Sequence, residues 1–227
     1  DATPALRFVT QRSASGNSET GGRALSFPPG SLVSEPCESI MVVGVGGGGN
    51  STVHRIVECG LDQIASLAVN TDQSALDRCS AGSRLLIGEA TTAGLGAGGV
   101  PERGYDAAVE SRAQLVEAFA GQDMVFLTAG LGGGTGTGAS AVVAAASREA
   151  GALTIALVTL PFAFEGSPRA LNATVGLRAL EQEVDSLIVV SNDNLLHEGD
   201  ESVGLIEAFR RVDDILLGAV QGLTKLI

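Results

Sequence analysis

Two glycine-rich segments of this 227-residue chain have the composition and spacing of phosphate-binding loops. The first carries Gly44, Gly46 and Gly49 at the spacing G-x-G-x-x-G and follows a short apolar run. The second, residues 130–138, alternates glycines with two threonines and also leads into a predicted helix. Glycine lets backbone N–H groups approach an anion closely, and a helix N-terminus adds partial positive charge. Together the two segments predict a site for a chain of phosphates.

The third glycine cluster and Asp72 each have two possible roles. Residues 94–99, followed by Pro101, either close over a terminal phosphate or form a mobile loop. Asp72 follows the second apolar run, where it either caps the next helix or helps to hold a hydrated Mg²⁺. Because Mg²⁺ keeps several waters and takes few carboxylates, no direct protein ligand to the metal is assigned.

Residues further along the chain have side chains that suit a ribose and a base. Glu165 fits a ribose hydroxyl, or alternatively compensates the charge of a helix N-terminus, and Arg169 could reach ribose or phosphate. Phe209 and Asp213 lie four residues apart, on one face of a helix. An aromatic at that spacing is usually core, but here the pair also suits a purine. The ring would stack on the base and the carboxylate would accept from guanine N1–H and N2–H₂, while Asn192 serves the other edge.

Strands must place these segments at one edge of a sheet. The apolar runs are at residues 40–43, 64–69, 85–87, 124–127, 153–158 and 187–190. Helices are predicted at about 50–59, 73–79, 104–119, 136–150, 168–184 and from 203 to the end. This alternation predicts an α/β fold with a doubly wound, mostly parallel, Rossmann-like sheet, in which ligands lie outside the carboxyl ends of the strands.

Residues 1–38 lack a sustained period of either kind and are expected to form a flexible N-terminal extension. Their few acids and their serine and arginine content suit the remnant of an organelle transit peptide or, equally, a disordered tail. Residues 39–227 are expected to form one domain.

Composition restricts the partners and the chemistry. With 14 basic and 26 acidic side chains the net charge is -12, which opposes binding to nucleic acid or to anionic lipid. Lys225 is the only lysine, which excludes a P-loop lysine and a Schiff base deep in the chain. Three cysteines without a C-x-x-C pair indicate reduced thiols in an intracellular compartment, and no apolar run is long enough for membrane insertion.

In order and spacing these motifs resemble the nucleotide-binding domain of the tubulin/FtsZ family, prokaryotic or plastid type. The second glycine segment is the most specific element, and the resemblance covers about residues 39–227. The matching segments are 46–50, 68–72, 94–99, 132–138, 161–166, 192–193, 208–209 and 213–222.

The resemblance implies a GTP-binding cytoskeletal GTPase that polymerises head to tail into a division ring, in cell division and septation or in chloroplast division. It implies GTP or GDP with Mg²⁺ as ligands, and as partners further copies of the protein and other division-ring proteins. The implied location is the bacterial cytoplasm or the plastid stroma. In this family an acidic loop just after the central helix completes hydrolysis on the neighbouring subunit. The sequence ends at Ile227, before that loop, so no catalytic residue is assigned and little turnover is expected of this chain.

The resemblance places the nucleotide on residues from all of these segments. They are Gly46, Gly47, Gly48, Asn50, Asn70, Asp72, Gly96, Ala97, Gly98, Gly132, Gly133, Gly134, Thr135, Gly136, Thr137, Pro161, Glu165, Arg169, Asn192, Phe209 and Asp213.

Two other functions are compatible with parts of the sequence. An NAD-binding Rossmann dehydrogenase explains Gly44, Gly46 and Gly49 but gives the second glycine segment no role. Neither His54 nor His197 has a recognisable acid–base partner for such a reaction. A structural protein with a vestigial pocket is the other possibility.

Overall fold

The strands and helices follow the apolar runs of the sequence. The structure is a computed structural model that describes the backbone of residues 6–10, residues 39–60 and 64–193 in full, and Asp214 and Gly218. The strands are β1 (Leu6–Thr10), β2 (Ile40–Val45), β3 (Ala65–Asn70), β4 (Ser83–Leu86), β5 (Met124–Gly130), β6 (Leu153–Leu160) and β7 (Ser186–Ser191). The helices are α1 (Gly46–Glu58), α2 (Gln73–Asp77), α3 (Glu89–Thr92), α4 (Pro101–Glu110), α5 (Arg112–Ala118), α6 (Thr135–Glu149) and α7 (Ser167–Glu181), with a 3-10 turn at Ala163–Glu165.

One sheet joins all seven strands in the order β1-β7-β6-β5-β2-β3-β4. Strands β2 to β7 are parallel, and β1 pairs with β7 in the antiparallel direction. The chain winds outward from β2 to β4, returns to β5 on the other side of β2, and winds outward again to β7. The strand order therefore reverses between β2 and β5, which is where ligands bind in doubly wound sheets.

Alternate side chains of the central strands are buried on opposite faces of the sheet. On one face Val43 and Leu127 pack in the larger apolar cluster with α4, α5 and α6. On the other face Val42 and Phe126 pack in a smaller cluster with Val53 of α1. Burial on both faces explains why these strands are apolar at consecutive positions.

The predicted fold class is confirmed, and all six predicted strands are present with boundaries within a few residues. The predicted helix at 104–119 is two helices, because Ser111 lies outside helical geometry with φ -99° and ψ 14°. The predicted last helix, from residue 203, lies outside the described residues apart from Asp214 and Gly218. In the described part of the chain, no helix has the length and apolarity to cross a membrane.

Strand β1 lies within the predicted N-terminal extension, whose other residues before Ser39 are outside the described part of the chain. Its five residues are ordered by backbone pairing to β7, from Leu6 opposite Val190 to Thr10 opposite Ser186. A five-residue edge strand takes its partner from a distant part of the chain, so local periodicity carries little signal for it.

Candidate functional site

The two predicted phosphate loops meet at the point where the strand order reverses. The first loop joins β2 to α1 and the second joins β5 to α6. A Cβ on Gly46 would lie 2.6 Å from the backbone nitrogen of Gly136, and a Cβ on Gly136 would lie 2.5 Å from the carbonyl oxygen of Gly130. Both distances are too short for any side chain. Gly46 therefore allows the two loops to touch, and Gly136 allows the second loop to fold closely on itself.

Two helix N-termini open beside each other at this contact. Helix α1 has 13 residues and α6 has 15, and neither has a side-chain cap or an acidic residue in its first turn. The first N–H groups of a helix have no partner within the helix. With no side-chain cap, these donors and the positive ends of both dipoles are available to an anion.

A cavity of about 630 Å³ lies over the two helix starts, within the size range of small-molecule sites. Ten of the predicted nucleotide-binding residues line it: Gly47, Gly48, Gly133, Gly134, Thr135, Gly136, Pro161, Glu165, Arg169 and Asn192. Lining residues that sequence reasoning missed are Ser51, Thr52, Thr128, Ala129, Gly130, Leu131 and Thr159. The predicted residues Gly46, Asn50, Asn70, Asp72, Gly96, Ala97, Gly98, Gly132 and Thr137 are not on its wall.

Two glycines of the wall are not required by the packing of the protein. At Gly47 and Gly133 no heavy atom, apart from those of chain neighbours and of the helix's own backbone, lies within 4 Å of the position that a Cβ would occupy. Neither residue has the left-handed backbone that favours glycine. A ligand that approaches the backbone at these two positions explains the absence of a side chain.

Asn50 and Asn70 brace the first loop from behind instead of facing the cavity. Asn50 is 4% exposed, and in the amide orientation that suits its neighbours it donates to the carbonyl oxygens of Gly44 at 2.8 Å and Gly46 at 3.1 Å. Its oxygen accepts from Asn70 Nδ2 at 2.9 Å. Ser51 and Thr52, one and two residues further along α1, are the side chains that reach the wall.

Threonine hydroxyls fix the second loop. Thr137 Oγ1 accepts from the backbone N–H of Gly132 at 2.8 Å, and it is buried. Thr135 Oγ1 lies 2.7 Å from Thr71 Oγ1, which connects this loop to the end of β3. The two threonines therefore hold the loop, and Thr135 also lines the cavity.

Asp72 and the third glycine loop support the site from one side. Asp72 Oδ1 accepts from the backbone N–H of Ala75 at 3.0 Å, so the carboxylate caps α2. Ala97, in the third loop, is 3% exposed, and its Cβ lies 2.8 Å from the position that a Cβ on Gly134 would occupy. The third loop is thus packed against the second loop, and its glycines stand next to the cavity wall.

Glu165 and Arg169 form an ion pair at the rim of the cavity. One carboxylate oxygen of Glu165 accepts from Arg169 Nη1, and the other accepts from the backbone N–H of Phe162 at 3.0 Å. The side chain of Glu165 is 15% exposed and that of Arg169 is 57% exposed. This pair offers a carboxylate to a hydroxyl and a guanidinium to a hydroxyl or phosphate.

Two buried polar atoms on the wall have no hydrogen-bond partner. They are Oδ1 of Asn192, which is 3% exposed, and Oγ1 of Thr128, which is 4% exposed. Buried polar groups in folded proteins are almost always paired, so each marks a position where a polar ligand or a water completes the structure. Asn192 thus lies on the cavity wall, and its role at the edge of a base stays a prediction.

The predicted base-binding residues Phe209 and Asp213 lie outside the described residues. Their neighbour Asp214 is described, and its Oδ1 accepts from Arg55 Nη2 at 2.5 Å. Arg55 belongs to α1, so this part of the last segment contacts the helix that opens at the cavity.

The described residues of this site suit a metal ion that is held through a phosphate ligand. No group of three or more His, Cys, Asp or Glu side chains that suits a metal ion occurs among the described residues. A Mg²⁺ ion bound by phosphate oxygens and water needs no such group. The donors present thus fit a metal–phosphate complex better than a protein-bound metal.

Comparison with known proteins identifies the family that has this fold and site. A model of the Tubulin/FtsZ family GTPase domain matches residues 39–200. This match covers more than half of the chain, so the chain belongs to the Tubulin/FtsZ family, and its described domain is of the GTPase kind.

Solved structures of two kinds of family member are similar to this chain. FtsZ of M. jannaschii, solved as an empty dimer, is 46% identical with a TM-score of 0.79. That match covers 83% of this chain and 55% of the M. jannaschii chain. CetZ1 of Haloferax volcanii, solved as a GDP-bound monomer, is 26% identical with a TM-score of 0.71, over 79% of this chain and 58% of that chain. The chain thus spans just over half the length of these relatives. The comparisons give no support to a dehydrogenase.

Proposed function

We propose that this chain is the GTP-binding domain of an FtsZ-type cytoskeletal GTPase, and that it binds GTP or GDP with Mg²⁺. One observation carries the proposal. Two uncapped helix N-termini open into one cavity beside Gly47 and Gly133, whose lack of a side chain the protein's own packing does not require. A chain of phosphates is the ligand that uses backbone N–H donors from both helices at once.

In this proposal the nucleotide extends from the glycine loops to the last strand. The phosphates lie on the loops before α1 and α6, and Mg²⁺ is held by phosphate oxygens and water. Glu165 and Arg169 bind the ribose. Asn192 binds the base together with Phe209 and Asp213, and the carboxylate of Asp213 selects guanine because adenine has no matching pair of donors.

Identity to the solved relatives favours an FtsZ-type protein over a CetZ-type one. The chain is 46% identical to M. jannaschii FtsZ and 26% identical to Haloferax volcanii CetZ1. We propose that the whole protein assembles head to tail into a division filament, as an FtsZ-type protein of the bacterial cytoplasm or the plastid stroma, and meets other division proteins there. The FtsZ relative was solved as a dimer, which supports self-association.

Slow hydrolysis is expected of this chain by itself. Among the described residues that line the cavity, Glu165 is the only carboxylate, and in this proposal it binds the ribose. A free carboxylate that orients the attacking water must therefore come from elsewhere. A second subunit is the source that we propose.

Phosphate release from GTP tests this activity. At low protein concentration, the 227-residue chain is expected to bind GTP and release phosphate slowly. An increase in the rate per molecule with concentration would show that two copies of this chain complete a catalytic site. Rapid release at low concentration would show that the chain carries its own catalytic group.

A further inference from the structure

The short helix α3 is held at its start by side chains from the junction of α4 and α5. Glu110 Oε1 accepts from the backbone N–H of Ala90 at 2.9 Å. Its Oε2 accepts from the backbone N–H of Thr91 at 3.0 Å and from the hydroxyl of Thr91 at 2.7 Å. The next residue, Ser111, is buried and accepts from the backbone N–H of Gly88 at 2.9 Å. We call these two residues the Glu110–Ser111 clamp.

The clamp exists because the helix is interrupted at Ser111. At this break between α4 and α5, both side chains reach the backbone at the start of α3. The N–H of Ala90 and then the hydroxyl of Thr91 hold the pKa of Glu110 below its usual value, so the carboxylate is charged at neutral pH. A four-residue helix is not stable by itself, so its conformation depends on such contacts.

Helix α3 leads directly into the third glycine loop. It ends at Ala93, a non-glycine residue with φ 50°, and Gly94 and Gly96 continue with positive φ. The N–H of Gly96 donates to the carbonyl oxygen of Thr71 at 3.0 Å. Ala97 then packs against Gly134 of the second loop. The position of α3 therefore fixes where the third loop meets the phosphate loops.

The loop is also held at its other end by the element that carries the clamp. Residue 100 is the N-cap of α4, and the guanidinium of Arg103 in α4 donates to the carbonyl oxygen of Thr91 at 3.4 Å. Gly88 presses on the same helix, because a Cβ there would lie 2.1 Å from the Cβ of Ala107. Helices α3 and α4 thus form one frame around residues 93–99.

We propose that Glu110 is a positioning residue for the terminal phosphate of a bound nucleoside triphosphate. It touches no ligand, since it is exposed and does not line the cavity. It acts by fixing α3, and through α3 the backbone N–H groups of the third loop. This inference rests on the proposed function. A diphosphate reaches only the loops before α1 and α6, so its binding does not depend on the clamp.

Binding of GTP and of GDP to variants of the 227-residue chain tests the inference. Glu110→Ala is expected to weaken GTP binding about tenfold and to change GDP binding less than about twofold, because losing the charge-assisted hydrogen bonds to α3 displaces only the loop that is proposed to meet the terminal phosphate. Glu110→Gln keeps one acceptor oxygen. Its affinity for GTP is expected to lie between that of Glu110→Ala and that of the unchanged chain. Glu149→Gln removes an exposed carboxylate that pairs with Arg112, and serves as the matched control.

Amide hydrogen exchange gives a second readout that does not depend on affinity. With GTP bound, residues 94–99 are expected to exchange faster in Glu110→Gln than in the unchanged chain, while α6 exchanges equally in both. Should Glu110→Ala fail to fold, Thr91→Val removes one hydrogen bond to the same carboxylate and is expected to shift the ratio of the two affinities in the same direction.

The outcomes separate this inference from the proposed function. Equal weakening of GTP and GDP, or no change in either, would contradict a role at the terminal phosphate while leaving the proposed function intact. If the unchanged chain binds neither nucleotide, the proposed function fails and this inference fails with it.

Discussion

At the scale of single residues, glycine has two separate purposes in this site. A Cβ on Gly46 would collide with the backbone of the second loop, and a Cβ on Gly136 would collide with the carbonyl oxygen of Gly130 in its own loop, so the protein itself requires both glycines. Gly47 and Gly133 lie where a Cβ would meet no such atom within 4 Å. The second pair is the more informative about function, because the packing of the protein does not require glycine there and both residues line the cavity.

Gly133→Ala separates these purposes experimentally. The fold should tolerate the methyl group, since it would extend into open space and the backbone is not left-handed. GTP binding should weaken by about tenfold or more, because losing one hydrogen bond to a charged group costs about 1.5–3 kcal/mol. Calorimetric titration with GTP and thermal unfolding measure the two effects.

Gly82→Ala is the matched control for this substitution. A Cβ at Gly82 makes ordinary contacts of 3.4 Å and 3.5 Å with Ser66, outside the cavity. Unchanged GTP affinity in Gly133→Ala would show that phosphate does not approach this part of the loop.

Residue types and spacing locate the site, but they do not decide which side chains face the ligand. Asn50 and Ser51 are adjacent at the start of α1, yet Asn50 points back to the carbonyls of β2 and Ser51 lines the cavity. Thr128 lies within the apolar pattern of β5, which does not indicate that it lines the cavity. The structure shows it on the cavity wall with an unpaired hydroxyl. Orientation of this kind depends on how a helix is rotated against the sheet, which periodicity does not record.

At the scale of elements, close contact between α4 and α6 fixes the frame of the site. A Cβ on Gly138 would lie 1.9 Å from the carbonyl oxygen of Pro101 and 2.7 Å from the backbone nitrogen of Tyr105. The two helices therefore meet backbone to backbone. This contact holds the start of α6, where Thr135 and Gly136 line the cavity, next to the frame of α3 and α4.

Gly138→Ala is expected to destabilise the fold by about 1–3 kcal/mol, as overpacking does. Alanine gains about 1 kcal/mol in helix propensity, but the neighbouring atoms are backbone and cannot move aside cheaply. Urea unfolding with Gly82→Ala as reference measures the change. A variant as stable as the unchanged chain would mean that α4 and α6 are not in close contact.

At this scale, long apolar runs in the sequence predict strands well, whereas short elements with distant partners are not predicted. The consecutive apolar runs that become β2 to β7 identify six strands because each is buried on both faces. Strand β1 and helix α3 are short and depend on partners far away in the chain, β7 for one and Glu110 for the other. At the interruption, Ser111 accepts a hydrogen bond from the backbone N–H of Gly88, which no local sequence pattern predicts.

At the scale of the whole molecule, charge and fold together explain how the site is built. The chain has a net charge of -12 and a single lysine, so basic side chains contribute little to binding an anion. Backbone N–H groups, two helix N-termini and Mg²⁺ replace them in the proposed site. Arg169 at the rim is the only basic residue among the described residues of the cavity wall.

Titration of the 227-residue chain with GTP, ATP and NAD⁺ in the presence of Mg²⁺ tests the central claim most directly. Calorimetry is expected to show one GTP bound per chain, weaker binding of ATP, and no binding of NAD⁺. In the proposed site both glycine loops hold the triphosphate, and we propose that the carboxylate of Asp213 selects guanine. Binding of NAD⁺ in preference to GTP, or no binding of GTP at all, would contradict the account.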